Sequence, residues 1–220
     1  MFTAKCFGIG NSMQSLKAIM KKLFRTNRRI LVERDLERIN LKQFKRVLVV
    51  GSGKDPYRHL FSTDLEEYIK FDIEPHDGIT DVIGDIHDAP FDDNSFDCIF
   101  AVEVMEHLEN PFLFKKEVKR MLMKEGLMVL TVPFIFHMHA DPFDYWRPTR
   151  IALKELFNDF GELTIKNQGN RLHVILDLVS TSFKNNSFFK VLRILNIPIS
   201  LFDFTGDSTA CSGYFVIAKK

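Results

Sequence analysis

Short apolar runs alternate with stretches of helical periodicity from Arg46 to the end of the chain. Val47–Val50 reads as a buried strand ending at Gly51, and Tyr68–Phe71 as a second ending at Asp72. Asp81–Ile83, Phe96–Ala101, Leu127–Val132, Leu163–Lys166 and Tyr214–Ala218 complete the strand-like runs. Pro111–Met123 carries Phe112, Phe114, Val118, Met121 and Leu122 at helical spacing, which predicts a helix with Gly126 as its C-cap. Thr149–Phe160 predicts another, with Thr149 as N-cap and Gly161 as stop. Strands alternating with helices imply an α/β, doubly wound, mainly parallel sheet, with ligands at the carboxyl ends of the strands.

Ahead of this pattern, Leu16, Ile19, Met20 and Leu23 recur at helical spacing within Ser12–Arg25, and Lys17, Lys21, Lys22 and Arg25 fill the rest of the surface. The favoured expectation is a helix packed on the domain edge; the second is a basic amphipathic helix on an anionic membrane or a partner. Residues 1–45 therefore read as an N-terminal helical extension and 46–220 as the main domain. Within that domain, 170–210 read as a lid-like helical insertion. Phe188–Phe204 is rich in Phe, Leu and Ile and interrupted at Ile197–Pro198. It suits a lid over the cleft better than a membrane-facing surface for a lipid-linked acceptor.

Composition narrows the function only by exclusion. A formal net charge of +1 gives no reason to expect nucleic acid as a partner. Three cysteines without CxxC spacing form neither a disulfide framework nor a zinc motif, so a cytoplasmic, reducing setting and no metal are expected. No signal-peptide pattern opens the chain, and no apolar run approaches the roughly 20 residues that span a bilayer. Oligomeric state is not legible.

The polar residues that carry chemistry stand just after the apolar runs. Gly51-Ser52-Gly53 follows the first strand, where glycines permit a tight turn and close approach of a ligand. The third glycine of a dinucleotide fingerprint is absent, with Asp55-Pro56 in its place, which speaks against a pyrophosphate site. Asp72 ends the second strand, where a carboxylate can accept both hydroxyls of a ribose. Asp85 follows the third strand and can meet an adenine amino group while Ile86 packs on the ring. Glu103 follows the fourth. Three acids around one cleft suit a cationic ligand such as a sulfonium.

These segments, with Phe71-Asp72-Ile73, Gly84-Asp85-Ile86-His87-Asp88-Ala89-Pro90-Phe91, Ser95-Phe96-Asp97-Cys98-Ile99 and Glu103-Val104-Met105-Glu106-His107-Leu108, resemble class I S-adenosylmethionine-dependent methyltransferases. The likeness is greatest to the type 11-like subgroup. It implies a seven-stranded Rossmann-like sheet with an antiparallel C-terminal strand and S-adenosyl-L-methionine as cofactor. It also implies that Gly51 and Gly53 pass under the methionine part, that Asp72 holds the ribose and Asp85 with Ile86 the adenine, and that Ser52 and Ile73 are further cofactor contacts. Ala101 to Glu103 would line the methyl-donor side. Val49 stands where members commonly carry an acid, and Asp55 in place of the third glycine is a second departure.

The loop after the fifth strand, Pro133 to Thr149, holds the only tryptophan, His137, His139, Asp141 and Asp144. It resembles a loop of methyltransferases associated with surface-glycan biosynthesis, and its rings and charges suit a sugar or another polar ring. His137 and His139 are candidate bases, since imidazole titrates near neutral pH, with Asp141 or Asp144 to orient one of them. His107, Asp144, Tyr145, Trp146 and Arg147 are candidate acceptor contacts, and Glu106-His107 can equally be structural. The expected reaction is methyl transfer to oxygen or nitrogen of a small molecule or glycan. The alternatives are a catalytically silent binding subunit and, lacking a Tyr-x-x-x-Lys pair, a nicotinamide-dependent oxidoreductase.

Overall fold

The computed structural model describes residues 25–140, 142–182, 191–195, 198 and 209–220. Seven strands form one sheet: β1 (Arg46–Val50), β2 (Glu67–Asp72), β3 (Val82–Ile83), β4 (Phe96–Val102), β5 (Leu122–Pro133), β6 (Glu162–Gln168) and β7 (Gly213–Lys219). Their order is β3-β2-β1-β4-β5-β7-β6. The first five are parallel, and β7 lies antiparallel between β5 and β6. This is the Rossmann-like arrangement that the strand runs and the resemblance imply.

Side-chain alternation along the central strands divides the core into two layers. Leu48 and Val50 of β1, Ile99 and Ala101 of β4, and Met128 and Leu130 of β5 face one cluster. Val47 and Val49, Cys98 and Phe100, and Val129 face the other. Both faces are apolar because strands covered on both sides have no solvent face. The first layer is closed by Phe114, Val118 and Met121 of α2 (Pro111–Met121) and by Leu153 and Leu156 of α3 (Arg150–Leu156). The second is closed by Val32 and Leu36 of α1 (Asn27–Glu37), with Tyr57 and Phe61.

The helix starts follow local rules. The Asn110 side chain accepts from the amides of Phe112 at 3.0 Å and Leu113 at 3.1 Å ahead of Pro111, whose missing N–H costs nothing there. Thr149 caps α3 through the Ala152 amide at 3.2 Å.

Three expectations need correction. Gly126 is no C-cap: α2 stops at Met121 and the chain enters β5 at once, pairing Leu122 with Phe96. The register then shifts, with Glu125 at φ 66°, so the glycine lies in an irregular strand with a would-be Cβ 2.9 Å from the Met123 carbonyl oxygen. Strand-helix alternation also begins late. Between β1 and β2 stands only a 3-10 turn, Arg58–Leu60, and α1 covers that face from the N-terminal side. Finally, α3 ends at Leu156, short of Phe160.

The expected helix over Ser12–Arg25 lies outside the described residues except Arg25. So does most of Phe188–Phe204, apart from 191–195 and 198. Within the expected insertion, α4 (Arg171–Ser182) packs against α1. No helix among the described residues is long and apolar enough to cross a membrane.

Candidate active site

The sheet order reverses between β1 and β4, the switch point where open α/β sheets bind ligands. A cleft of about 820 Å³ opens there, bounded by Gly51 to Tyr57, Val102 and Glu103, with Arg29 and Glu33 of α1 opposite. Gly51 and Gly53 both have left-handed backbones, φ 61° and φ 50°. A Cβ on Gly51 would stand 2.5 Å from Val104 Cγ2, whereas one on Gly53 would meet nothing within 4 Å. Gly51 is thus required by packing and Gly53 by the turn, and Gly53 leaves its outer side open to a ligand. Ser52 is buried, and its amide donates to the Phe71 carbonyl at 3.2 Å.

Asp72 braces this loop from the neighbouring strand. Its Oδ2 accepts the Gly53 amide at 2.8 Å and its Oδ1 accepts the Glu74 amide at 3.2 Å, which leaves further lone pairs for ribose hydroxyls. Ile73 beside it is exposed. Asp85 caps the short turn Ile86–Asp88, accepting from the His87 amide at 2.9 Å, with His87 Nδ1 2.7 Å from its carboxylate. Ile86 is 4% exposed and belongs to the core, so its side chain offers an adenine ring little surface. Val49 is likewise core.

Glu103 lines the cleft as expected but offers it no free negative charge. Arg28 of α1 grips its carboxylate through Nε at 2.9 Å and through Nη2, and the Thr131 hydroxyl donates to it at 2.8 Å. Burial alone would raise its pKa; the adjoining guanidinium outweighs burial and lowers it. Glu33 is bonded in turn by Arg29 at 2.7 Å. The expectation of three acids for a cationic ligand therefore fails at Glu103. A partner on α1, distant in sequence, leaves no signal in a local motif.

The loop after β5 folds back onto the turn Met105–His107 that follows β4. The amides of Tyr145 and Trp146 donate to the Glu106 carbonyl at 2.7 and 3.3 Å, and the Trp146 indole donates to the Leu108 carbonyl at 2.7 Å. Trp146 therefore ties the loop down. Tyr145 remains exposed, its hydroxyl 3.2 Å from Glu109 Oε1. Asp144 is buried at the loop's centre, accepting from the His139 amide at 2.9 Å and from Arg147 Nη2 at 2.6 Å. Burial would raise its pKa, and the Arg147 hydrogen bond lowers it. His137 contacts the Thr181 hydroxyl of α4 at 3.2 Å, and Asp141 lies outside the described residues.

This fold-back brings His107, His139 and Glu106 together. The two rings meet edge to face at 5.0 Å, and the Nε2 atom of each lies 3.8 Å from Glu106 Oε1. The Glu106 side chain is fully buried, and neither oxygen has a hydrogen-bond partner among the described residues. Burial, and then the negative charge of Glu103, push its pKa well up. Glu106 was read only as a neighbour of His107; no sequence spacing ties it to His139.

Residues 48–130 match the family model described as "Methyltransferase domain". No curated protein matches the chain. Among solved structures, a SAM-dependent methyltransferase from Archaeoglobus fulgidus is similar at TM-score 0.60 and 18% identity, over 93% of this chain and 99% of that one. Phosphoethanolamine N-methyltransferase 2 of Haemonchus contortus, in complex with S-adenosyl-L-methionine, is similar at 0.55 and 16%, over 84% of this chain and 52% of that one. The [4+2]-cyclase SpnF is similar at 0.56 and 16%, over 88% and 80%. The glycine loop, open on its outer side at Gly53 and braced by Asp72, fits the S-adenosyl-L-methionine that this domain takes as cofactor. Residues 48–130 thus carry a methyltransferase domain, and the sheet built around them is the Rossmann-like methyltransferase fold.

Proposed function

We propose that the chain is catalytically active and methylates oxygen or nitrogen of a small polar molecule or a glycan. One observation carries this reading: the cofactor cleft ends at Glu103, and Glu106 and His107 stand three and four residues further along the chain, where the loop after β5 brings His139 against them. Glu103 is near enough for its negative charge to add to burial in raising the pKa of Glu106.

When bound, the cofactor supplies a methyl group on a sulfonium, open to in-line displacement. The chain's own residues align and shield. Gly51 to Gly53 let the backbone approach the ligand closely, and Asp72 accepts from the ribose. The Trp146 tie and the Asp144–Arg147 pair hold the loop against the rim, so the acceptor meets a fixed wall; orientation of this kind supplies much of the rate. The acceptor proton leaves toward His139, whose Nδ1 lies 3.6 Å from Asp144 Oδ2 and whose Nε2 points inward. Of the two aspartates that the sequence offered as orienting groups, Asp144 takes the part in this reading, and His137 stands farther out, against α4.

Calorimetry with S-adenosylhomocysteine and a labelled-methyl assay over a panel of sugars and amines test this. Asp72→Ala should weaken cofactor-product binding about 10- to 100-fold, the worth of a charge-assisted hydrogen bond or two. His139→Ala should keep that affinity and lose turnover. Unchanged affinity in Asp72→Ala removes the ribose assignment. Cofactor binding with no acceptor methylated would leave the silent-subunit reading.

A further inference from the structure

The Glu106 carboxylate is hard to explain as a structural residue. A buried carboxyl without a hydrogen bond carries its desolvation cost uncompensated. The nearest guanidiniums are already engaged, Arg28 by Glu103 and Gln168 and Arg147 by Asp144. What faces Glu106 is a pair of imidazole nitrogens.

Both imidazoles are held by their other nitrogen. His107 Nδ1 lies 2.7 Å from the Phe143 carbonyl oxygen, an acceptor, so Nδ1 carries the proton and Nε2 presents a lone pair. His139 Nδ1 lies 3.6 Å from Asp144 Oδ2 and 3.4 Å from the His137 carbonyl oxygen, two acceptors that favour the same tautomer, against one donor, Arg147 Nη2, at 3.5 Å. Metal-binding histidines are oriented in this way, by a carboxylate or carbonyl on the far nitrogen.

We propose that Glu106, His107 and His139 hold a divalent transition-metal cation of the zinc class. One atom from each residue lies within 4.8 Å of the other two. Ligands about 2.1 Å from a tetrahedral zinc stand about 3.4 Å apart, so the two 3.8 Å separations to Glu106 need to close by a few tenths of an ångström, and the two imidazoles, within 4.8 Å of each other, by more. Two imidazoles and one carboxylate select zinc or a similar metal over magnesium or calcium, which prefer all-oxygen sites. Three protein ligands leave a coordination position open. The histidines are partly exposed while Glu106 is buried, so that position faces the rim.

This deepens the proposed function and rests on it for its role: a cation there would bind the acceptor oxygen or nitrogen and make its proton easier to lose. His139 would then act as a ligand and not as the proton acceptor. Binding itself can be tested without turnover. Full-length protein stripped with EDTA is titrated with zinc chloride against a chromophoric chelator, and crystals soaked in zinc are measured across the zinc absorption edge.

The wild type should take up one equivalent, with an anomalous peak between the three residues. Glu106→Gln and His139→Asn should each weaken uptake by more than the 10- to 100-fold typical of losing an outer hydrogen-bond partner. His59→Asn, in the cleft but outside the cluster, should keep it. Two variants at different depths guard against misfolding of either one, and S-adenosylhomocysteine calorimetry on both reports the fold. No uptake by the wild type, uptake unchanged in both variants, or a peak elsewhere overturns the proposal. Zinc uptake without S-adenosylhomocysteine binding would leave the metal site standing and remove the methyltransferase reading beneath it.

Discussion

Gly51 and Gly53 share a left-handed backbone, yet substitutions there should fail differently. Gly51→Ala adds the left-handed strain, about 1–2 kcal/mol, to a clash with Val104 that the packed core cannot relieve, so a loss of about 3 kcal/mol is expected in urea denaturation. Gly53→Ala carries only the strain, about 1 kcal/mol, but points its methyl into the open side of the loop, so S-adenosylhomocysteine affinity should fall more than stability. Equal losses of stability would mean that the space beside Gly53 is not ligand space. At this scale the sequence was informative wherever local geometry decides: a glycine pair after an apolar run, an aspartate ending the next strand. It was silent wherever a distant partner decides. Nothing near Glu103 announces Arg28, and nothing near Glu106 announces His139. A fold-back loop makes one contact and an N-terminal helix makes the other.

Helix α1 shows why an element can escape notice. Its buried positions include Arg28 and Asp35 along with Leu31, Val32 and Leu36, so the inward face is not an apolar stripe. Instead Asp35 accepts from Lys166 Nζ at 2.8 Å and Gln168 Nε2 at 3.0 Å, tying the helix to β6. The strands were legible because the central sheet is apolar on both faces. The early start of β5 was not, since its irregular Glu125–Gly126 step looks like a helix end. The N-terminus of α1 rests on Asp177 of α4, which accepts the amides of Asn27 and Arg28, each at 2.7 Å. Burial raises the Asp177 pKa to about 6, and those two bonds offset only part of the effect. The folded value lies above the unfolded one of about 3.9, so the native state favours the protonated form. This contribution is full below about pH 4 and is lost as pH rises through about 6, at most about 3 kcal/mol. Asp177→Asn should therefore flatten the stability profile between those values. A wild-type profile that does not decline there on subtraction of the variant's would mean that the carboxylate is solvated.

Across the whole molecule, Arg28 joins parts that no single motif contains. It is 3% exposed, leaves α1 to pair with Glu103 at the end of β4, and donates to Gln168 Oε1 at the end of β6 at 2.7 Å. It also presses so close to Gly213 at the start of β7 that a side chain there would collide with its guanidinium. The methyl-donor side of the cleft is therefore shaped from the N-terminal helix and the last strands together. Removing one partner of a buried ion pair leaves the other charged and unpaired, which costs about 3–5 kcal/mol. Arg28→Met should lose stability on that scale, and the loss should be largely recovered in Arg28→Met/Glu103→Gln, because the neutral amide no longer needs a cation. A positive coupling in that cycle, read from urea denaturation, is the signature of the pair; additive losses would reduce Arg28 to a space-filling residue. The same double variant separates stability from binding. Because Arg28 already neutralises Glu103, the double variant should fold like the wild type and bind S-adenosyl-L-methionine about as tightly; weaker binding would mean that the paired carboxylate still acts on the sulfonium.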